Sequence, residues 1–182
     1  MFSQSDEKLV EKALKGNKKA WFTLLSRHET AIYNYAVRMT GSSDDAKDLL
    51  QEIFLSVFNS LHNFQSSGSF KGWIFKIAHY RCMDFFRRRQ PNISLDEAPD
   101  IPESHYQYSP ESYMQARESK QDIHRAMQSL PINQRLVVEL KFFGHFTFDE
   151  IAEQLGISPN TVKTRLYAAL GKLKSGMEVG HV

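Results

Sequence analysis

A polar stretch near the carboxyl end of the chain carries groups suited to bind nucleic acid. It follows Gly156-Ile157-Ser158-Pro159, in which the serine is a helix cap and the proline suits the first helical position. Amides and hydroxyls on the next turns can donate to base edges, while cations there bind phosphates. The predicted DNA-contacting set is Ser158, Asn160, Thr161, Lys163, Thr164 and Arg165.

The preceding residues predict the first half of a helix-turn-helix. Thr147 and Glu150 form a capping box that opens a helix over Phe148–Leu155. Gly156 supplies a left-handed turn residue, and the small Ala152 lets two helices approach closely. A plain helical hairpin is the alternative, but the turn glycine, both caps and the cationic outer face together favour DNA binding.

The amino-terminal half predicts a bundle of about four helices, because its apolar residues recur with a period of 3.6. Helices are expected over Asp6–Lys15 and Lys18–Thr40, then from the Ser42 region to Leu61 and from Phe70 to Arg89. The third helix is expected to bury Ala46, Leu49, Leu50, Ile53, Phe54, Val57, Phe58 and Leu61. On the fourth, Cys82 falls on the apolar stripe, and Asp84 has Arg88 as an expected partner at i+4.

Charge and proline divide the chain. The net charge of the 182 residues is +2, but residues 91–119 carry −5 and the flanking segments +5 and +2. Four of the six prolines fall between residues 91 and 110, which predicts an extended, flexible linker. We therefore predict an all-α protein of two small helical domains, residues 1–90 and 119–178, joined by an acidic linker, residues 91–118, the second domain being a helix-turn-helix.

Several classes of protein are excluded by what the sequence lacks. A single cysteine excludes an internal disulfide framework, and the seven scattered histidines lack metal-ligand spacing. No glycine-rich phosphate loop or nucleophile elbow is present, so we expect no enzyme, no cofactor, no metal and no small-molecule substrate. The sequence also lacks an apolar run long enough to span a membrane and a secretory signal pattern, so a cytoplasmic location is expected.

Motifs in both halves resemble bacterial RNA polymerase sigma factors of the extracytoplasmic-function (ECF) group of the sigma-70 family. In the amino-terminal half the resemblance rests on Asp45-Ala46-Lys47-Asp48-Leu49-Leu50-Gln51-Glu52-Ile53-Phe54 and on residues 69–78. In the carboxyl-terminal half it rests on Leu130-Pro131-Ile132-Asn133-Gln134-Arg135, on Glu150-Ile151-Ala152 and on residues 156–166. It covers almost the whole chain and implies two helical domains on a tether.

The resemblance implies a function for each surface. Asp48, Gln51 and Glu52 would dock on the clamp helices of the largest subunit of core RNA polymerase, although a merely solvated helix face is the alternative. The helix-turn-helix would read the −35 promoter element as duplex. The −10 element would be melted and captured as single-stranded DNA, with flipping and stacking of bases. The expected −10 set is Asn63, Phe64, Ser69, Phe70, Trp73, Lys76, His79, Tyr80, Arg87 and Arg88.

One departure from the family pattern concerns the −10 helix. Many members have Arg-Asn after the Ile-Ala pair, whereas His79-Tyr80 follows Ile77-Ala78 here. Tyrosine does not reproduce the hydrogen bonds of asparagine, so a family −10 sequence is not transferable to this chain.

The resemblance also implies partners beyond polymerase and promoter DNA. An anti-sigma factor is expected, and a membrane-anchored one would hold the protein at the inner face of the membrane. The alternative function is a stand-alone helix-turn-helix regulator that binds operator DNA without polymerase, but it leaves the amino-terminal motifs unexplained.

The acidic linker suggests a hypothesis of its own. Family linkers enter the RNA exit path, and a net charge of −5 would suit a channel built to hold RNA phosphate. If the linker mimics the transcript, neutralising Asp96, Glu97, Asp100 and Glu103 should weaken core binding or alter abortive synthesis. Core affinity and the abortive-to-full-length ratio, compared with the unchanged protein, measure both effects. Equal values in both assays would leave only a soluble tether.

Overall fold

The computed structural model describes residues 4–65, 68–89 and 120–179, and every regular element in these ranges is helical. The first four helices are α1 (Asp6–Leu14), α2 (Lys18–Thr40), α3 (Ser43–Ser60) and α4 (Phe70–Arg89), with a 3₁₀ turn at Leu61–Asn63. The others are α5 (Lys120–Gln128), α6 (Ile132–Val138), a π-helical segment (Glu139–Phe143), α7 (Phe148–Leu155) and α8 (Pro159–Val179). The all-α prediction is thus confirmed for the described residues.

The helices fall into two compact units. Among the described residues, the first consists of residues 4–37, 42–65 and 68–89, and the second of residues 38–41 and 120–179. The predicted linker, residues 91–118, lies outside the described residues.

In the first unit, the helix ends follow from local chemistry. The Ser42 hydroxyl accepts a hydrogen bond from the Asp45 amide at 3.3 Å, and Asp44 and Asp45 place negative charge at the positive end of α3. Asp6 joins α1 to α2, because its carboxylate lies 2.8 Å from both Arg27 and His28. These contacts fix where the helices begin and how α1 lies on α2.

The apolar stripes of α3 and α4 pack against each other and form much of the core of this unit. Their fully buried members are Ala46, Leu49, Ile53 and Val57 on α3 and Ile74, Ala78 and Cys82 on α4. Because the apolar stripe of each helix faces inward, the polar side chains on the opposite side of the helix lie on the outer face of the unit. The expectation that Cys82 is a core residue is therefore confirmed.

The second unit depends on a buried cation, Arg135, which is 8% exposed. Its Nη2 donates to the backbone carbonyls of Gln128 and Leu130, both at 3.1 Å, and Nη1 donates to Gln128 Oε1 at 2.9 Å. The Gln128 carbonyl ends α5, where a helix lacks internal donors and favours positive charge, and the Leu130 carbonyl lies two residues beyond it. Arg135 therefore closes the turn between α5 and α6.

Helix bounds agree closely with the sequence expectations. α2 and α7 have the predicted limits, and α6 is continued by the π-helical segment. No helix among the described residues is both long and apolar enough to cross a membrane.

We predict that Arg135→Ala destabilises the protein by about 1–3 kcal/mol, because it leaves buried carbonyl acceptors without a donor. Thermal unfolding followed by circular dichroism measures the change. Arg135→Lys, which keeps the charge but not the fork of donors, should restore part of the loss. An unfolding temperature for Arg135→Ala equal to that of the unchanged protein would contradict the role of the guanidinium.

Candidate nucleic-acid and protein interfaces

The turn between α7 and α8 has the geometry of a helix-turn-helix. Thr147 Oγ1 accepts from the Glu150 amide at 3.2 Å, and Glu150 Oε2 accepts from the Thr147 amide at 2.7 Å. Gly156 has φ +66°, in the left-handed region, and the Ile157 amide donates to the Ala152 carbonyl at 3.1 Å. Both the predicted capping box and the predicted turn glycine are therefore confirmed.

The start of α8 carries the predicted −35 set. Ser158 Oγ accepts from the Thr161 amide at 3.0 Å, so it caps the helix. Asn160 and Lys163 are exposed, whereas Thr161, Thr164 and Arg165 are half-buried. Thr164 also donates its hydroxyl hydrogen to the Asn160 carbonyl at 3.0 Å. The exposed members of the set are thus the capping hydroxyl of Ser158, the amide of Asn160 and the cation of Lys163.

Sequence reasoning missed a cation–aromatic cluster beside this helix. The ammonium groups of Lys141 and Lys163 lie 4.8 Å and 5.6 Å from the centroid of the Phe148 ring. Both ammonium groups are attracted to the ring and lie near the start of α8. Together they raise the positive potential of this surface. Nothing in the spacing of Lys141 indicates this position, because it lies in the π-helical segment before the capping box.

At the start of α4, three of the predicted −10 aromatics come together. The Phe64 ring lies 5.5 Å from Phe70 and 5.4 Å from Trp73, and those two lie 5.6 Å apart. Phe70 is buried and also packs on His28 at 5.2 Å, whereas Phe64 and Trp73 are half-buried. Phe70 therefore supports the other two rings, which keep part of their surface exposed.

The remaining −10 candidates are distributed between the loop before α4 and its outer face. Ser69 caps α4, since its hydroxyl accepts from the Gly72 amide at 3.0 Å, and Asn63 is exposed before it. Lys76 is exposed, His79 is half-buried, and Tyr80 is 55% exposed with its ring 5.5 Å from that of His79. Arg87 and Arg88 are exposed in the last turn. The outer face of α4 thus carries cations and an aromatic ring, the groups that bind single strands.

The outer face of α3 holds the predicted docking residues. Asp48 and Gln51 are exposed and Glu52 is half-buried. The same face continues into two apolar side chains, Leu55 at 56% and Phe58 at 60% exposure. The expectation that Phe58 is buried in the helical stripe is wrong, since this exposed ring lies edge-on to Trp21, with centroids 5.3 Å apart.

Ion pairs join α3 to the end of α4. Arg88 binds Glu52 and Arg89 binds Asp45, whereas Asp84 lies 3.1 Å from Arg87. The expected pairing of Asp84 with Arg88 is therefore wrong, since Arg88 finds a carboxylate on the neighbouring helix. Among the described residues, no group of three or more His, Cys, Asp and Glu could hold a metal ion.

Comparison with known proteins decides the family. Residues 24–91 match the family model for sigma-70 region 2, and residues 120–173 match the model for sigma-70 region 4. RNA polymerase sigma factor SigV of Bacillus subtilis is 30% identical over 153 residues, which cover 81% of this chain and 85% of that relative. This chain belongs to the sigma-70 family of RNA polymerase sigma factors.

Two relatives named as ECF sigma factors are also similar to this chain. ECF sigma factor SigE of Mycolicibacterium smegmatis is 31% identical over 85% of this chain, which spans only 60% of that relative. ECF sigma-E factor of Escherichia coli is 27% identical, with 91% of this chain and 90% of the relative covered.

Two solved structures share the fold, each at 21% identity. CnrH in complex with the cytosolic domain of CnrY gives a TM-score of 0.69, covering 97% of this chain and 99% of that one. Sigma factor RpoE in complex with the anti-sigma factor NepR from Bartonella quintana gives 0.68, covering 88% and 98%. The fold of this sigma factor is thus shared with both solved structures.

We predict that Lys141→Ala and Lys163→Ala each weaken duplex DNA binding and each reduce the salt slope by about 0.9, the effect of losing one phosphate contact. Fluorescence anisotropy with a labelled duplex at several low salt concentrations measures both quantities. Lys172→Ala is the matched control, because Lys172 is exposed further along α8. If Lys141→Ala behaves like Lys172→Ala, the cluster around Phe148 does not contact DNA.

Proposed function

We propose that this sigma factor binds core RNA polymerase and directs transcription initiation at specific promoters, using α3 for polymerase, α4 for the −10 strand and α8 for the −35 duplex. One observation carries the proposal. The chain presents two separate cationic surfaces, the outer face of α4 and the start of α8, and the matched regions 2 and 4 contain one each. A regulator that only bound operator DNA would need only the second.

The docking role of α3 is supported by its mixed chemistry. Asp48 and Gln51 offer charge and hydrogen-bonding groups, and Leu55 and Phe58 extend the same exposed face with apolar surface. A polar rim beside exposed aromatic surface is characteristic of protein–protein interfaces. We expect basic side chains of the polymerase to meet Asp48 and Glu52.

The −10 role of α4 is supported by the different burial of the three aromatic rings at its start. Buried Phe70 holds Phe64 and Trp73 in fixed orientations, so a flipped base could stack without first ordering the rings. Lys76, Tyr80 and Arg87 lie on the same outer face and would follow the sugar-phosphate backbone of the strand.

The −35 role of α8 rests on its capped amino end. Asn160 and Lys163 project there, and Ser158, Thr161, Thr164 and Arg165 complete the candidate set. Of these, Asn160 and Arg165 have the donor geometry that pairs with purine edges, while Lys163 supplies sequence-independent affinity.

The chain is a DNA-recognition protein by family, and we propose that it acts in the cytoplasm without a catalytic group of its own. Phosphodiester synthesis would belong to the polymerase. An anti-sigma factor is a proposed further partner, since the solved structure of RpoE contains one bound to it.

Run-off transcription with bacterial core polymerase, on the DNA upstream of this protein's own gene, tests the proposal. A start site that appears only with the protein is expected. Asp48→Asn should lower core affinity by about five- to tenfold, compared with Asp44→Asn, whose carboxylate pairs locally with Lys47. Lys163→Ala should keep core binding and reduce promoter occupancy, compared with Lys172→Ala.

The outcomes separate the two functions. Absence of a transcript together with absence of co-migration with core polymerase would overturn the proposal and favour the stand-alone regulator. Co-migration without a transcript would point to a different promoter, and binding of Asp48→Asn equal to that of Asp44→Asn would remove α3 from the docking surface.

A further inference from the structure

The aromatic cluster at the start of α4 is in contact with a histidine of α2. The ring centroids of His28 and Phe70 lie 5.2 Å apart, with 58° between the ring planes. The His28 side chain is only 12% exposed, and Phe70 is buried. Phe70 in turn contacts Phe64 and Trp73. His28 is thus one contact away from the two half-buried rings that we propose for base stacking.

A carboxylate of α1 fixes the orientation of this imidazole. His28 Nε2 lies 2.8 Å from Asp6 Oδ2. A carboxylate only accepts hydrogen bonds, so Nε2 carries a hydrogen and donates it. The ring cannot turn this N–H toward water without giving up a charged acceptor. Asp6 therefore holds His28 in the rotamer that packs on Phe70.

The other oxygen of Asp6 is held as well. Arg27 Nη1 donates to Asp6 Oδ1 at 2.8 Å and to the backbone carbonyl of Gln4 at 2.5 Å. The side chains of Asp6 and Arg27 are 23% and 29% exposed, so water screens this pair less than a fully exposed one. The carboxylate that orients the imidazole is consequently fixed in position itself.

α1 also contacts the 3₁₀ turn that leads into Phe64. Leu9 and Val10 of α1 and Leu61 of the turn are buried, and the Phe64 amide donates to the Leu61 carbonyl at 3.1 Å. α1 therefore reaches the cluster by two routes, an apolar one at the turn and a polar one through Asp6. A change at Asp6 removes only the polar route.

The order of the rings matters for binding because a ring that must be ordered costs side-chain entropy when a base stacks on it. Phe64 and Trp73 are half-buried and depend on Phe70 for support. If His28 turned away, Phe70 would lose a neighbour on the α2 side, and the two outer rings would become less ordered. The affinity for single-stranded DNA would then fall although every DNA-contacting side chain was still present.

We propose that Asp6 is a positioning residue for the −10 strand: it holds His28 against Phe70, and this contact keeps the cluster ordered for base stacking. The inference rests on the proposed function. It gives α1 a part in DNA binding, although α1 precedes residues 24–91, which match region 2. Neither Asp6 nor His28 touches DNA in this arrangement.

Trp73 is a reporter within the cluster itself. The chain has two tryptophans, so Trp21→Phe leaves Trp73 as the only one and keeps an aromatic ring at position 21. A base that stacks on the indole quenches its fluorescence, and stacking tolerates any base. Oligodeoxythymidylate titrated into the full chain therefore yields an affinity for the cluster.

In this background, Asp6→Ala should bind the oligonucleotide about three- to tenfold more weakly than Glu7→Ala. Glu7 is the matched control, because it is exposed in the same first turn of α1 and its loss changes the net charge and the helix-end charge equally. Without DNA, acrylamide should quench Trp73 more strongly in Asp6→Ala, since the cluster is less ordered. Circular dichroism checks that both variants keep their helices.

Two substitutions of His28 separate the ring from the hydrogen bond. His28→Gln keeps an amide that can donate to Asp6 but removes the ring from Phe70, so it should lose affinity as Asp6→Ala does. His28→Phe keeps a ring and has no N–H that water attracts, so it should bind more tightly than His28→Gln. In the His28→Phe background, Asp6→Ala should cause no further loss, whereas a role limited to anchoring α1 would give the same loss in both backgrounds.

Equal affinities of Asp6→Ala and Glu7→Ala would overturn the inference, and so would a loss from Asp6→Ala that persists in the His28→Phe background. If Asp6→Ala does not fold, equal affinities of His28→Gln and His28→Phe would overturn it. Where Trp73 is quenched by the oligonucleotide in either case, the −10 assignment of the cluster stands and only the part of Asp6 is excluded. Absence of quenching in Trp21→Phe itself would remove the −10 assignment of the cluster together with the inference.

Discussion

The first unit depends on the apolar contact between α3 and α4. Ile53 and Val57 on one helix and Ile74 and Ala78 on the other have no exposed surface, so each helix uses one face to bury the other. Side-chain hydrogen bonds connect Asp45, Glu52 and Ser56 of α3 with Arg89, Arg88 and Arg81 of α4, in that order, so the two helices run antiparallel. What remains for partners is fixed by this packing: the outer face of α3 and the outer face of α4.

Antiparallel packing also decides the local electrostatics. The acidic first turn of α3 lies beside the basic last turn of α4, and each helix favours that charge at that end. The acidic and basic residues that stabilise these two helix ends are therefore also close enough to form ion pairs with each other. The cations of the outer face of α4 and the carboxylates of the outer face of α3 consequently meet at the pair of Arg88 with Glu52.

The features that could be predicted correctly from the sequence are those that depend on the residues of one helix and its ends. Caps at Ser42, Thr147 and Ser158 and the turn at Gly156 need only neighbouring residues, and the structure has all four. The prediction that Phe58 is buried was wrong because the 3.6-residue period shows which residues share a helix face. It does not show how far the helix that covers this face extends. The i+4 rule failed at Arg88 for a related reason, since it considers only partners on the same helix.

Members of a family share a fold, whereas the preference for particular bases depends on the individual side chains of each member. Where the resemblance to the family leads us to expect asparagine, this sigma factor has Tyr80, more than half exposed on the outer face of α4, next to half-buried His79. A phenol has one hydroxyl and a large stacking face, whereas an amide offers two donors and an acceptor in a plane. At a −10 strand the tyrosine would thus favour stacking over hydrogen-bonded readout. Relatives at about 30% identity consequently do not indicate which bases this protein would select.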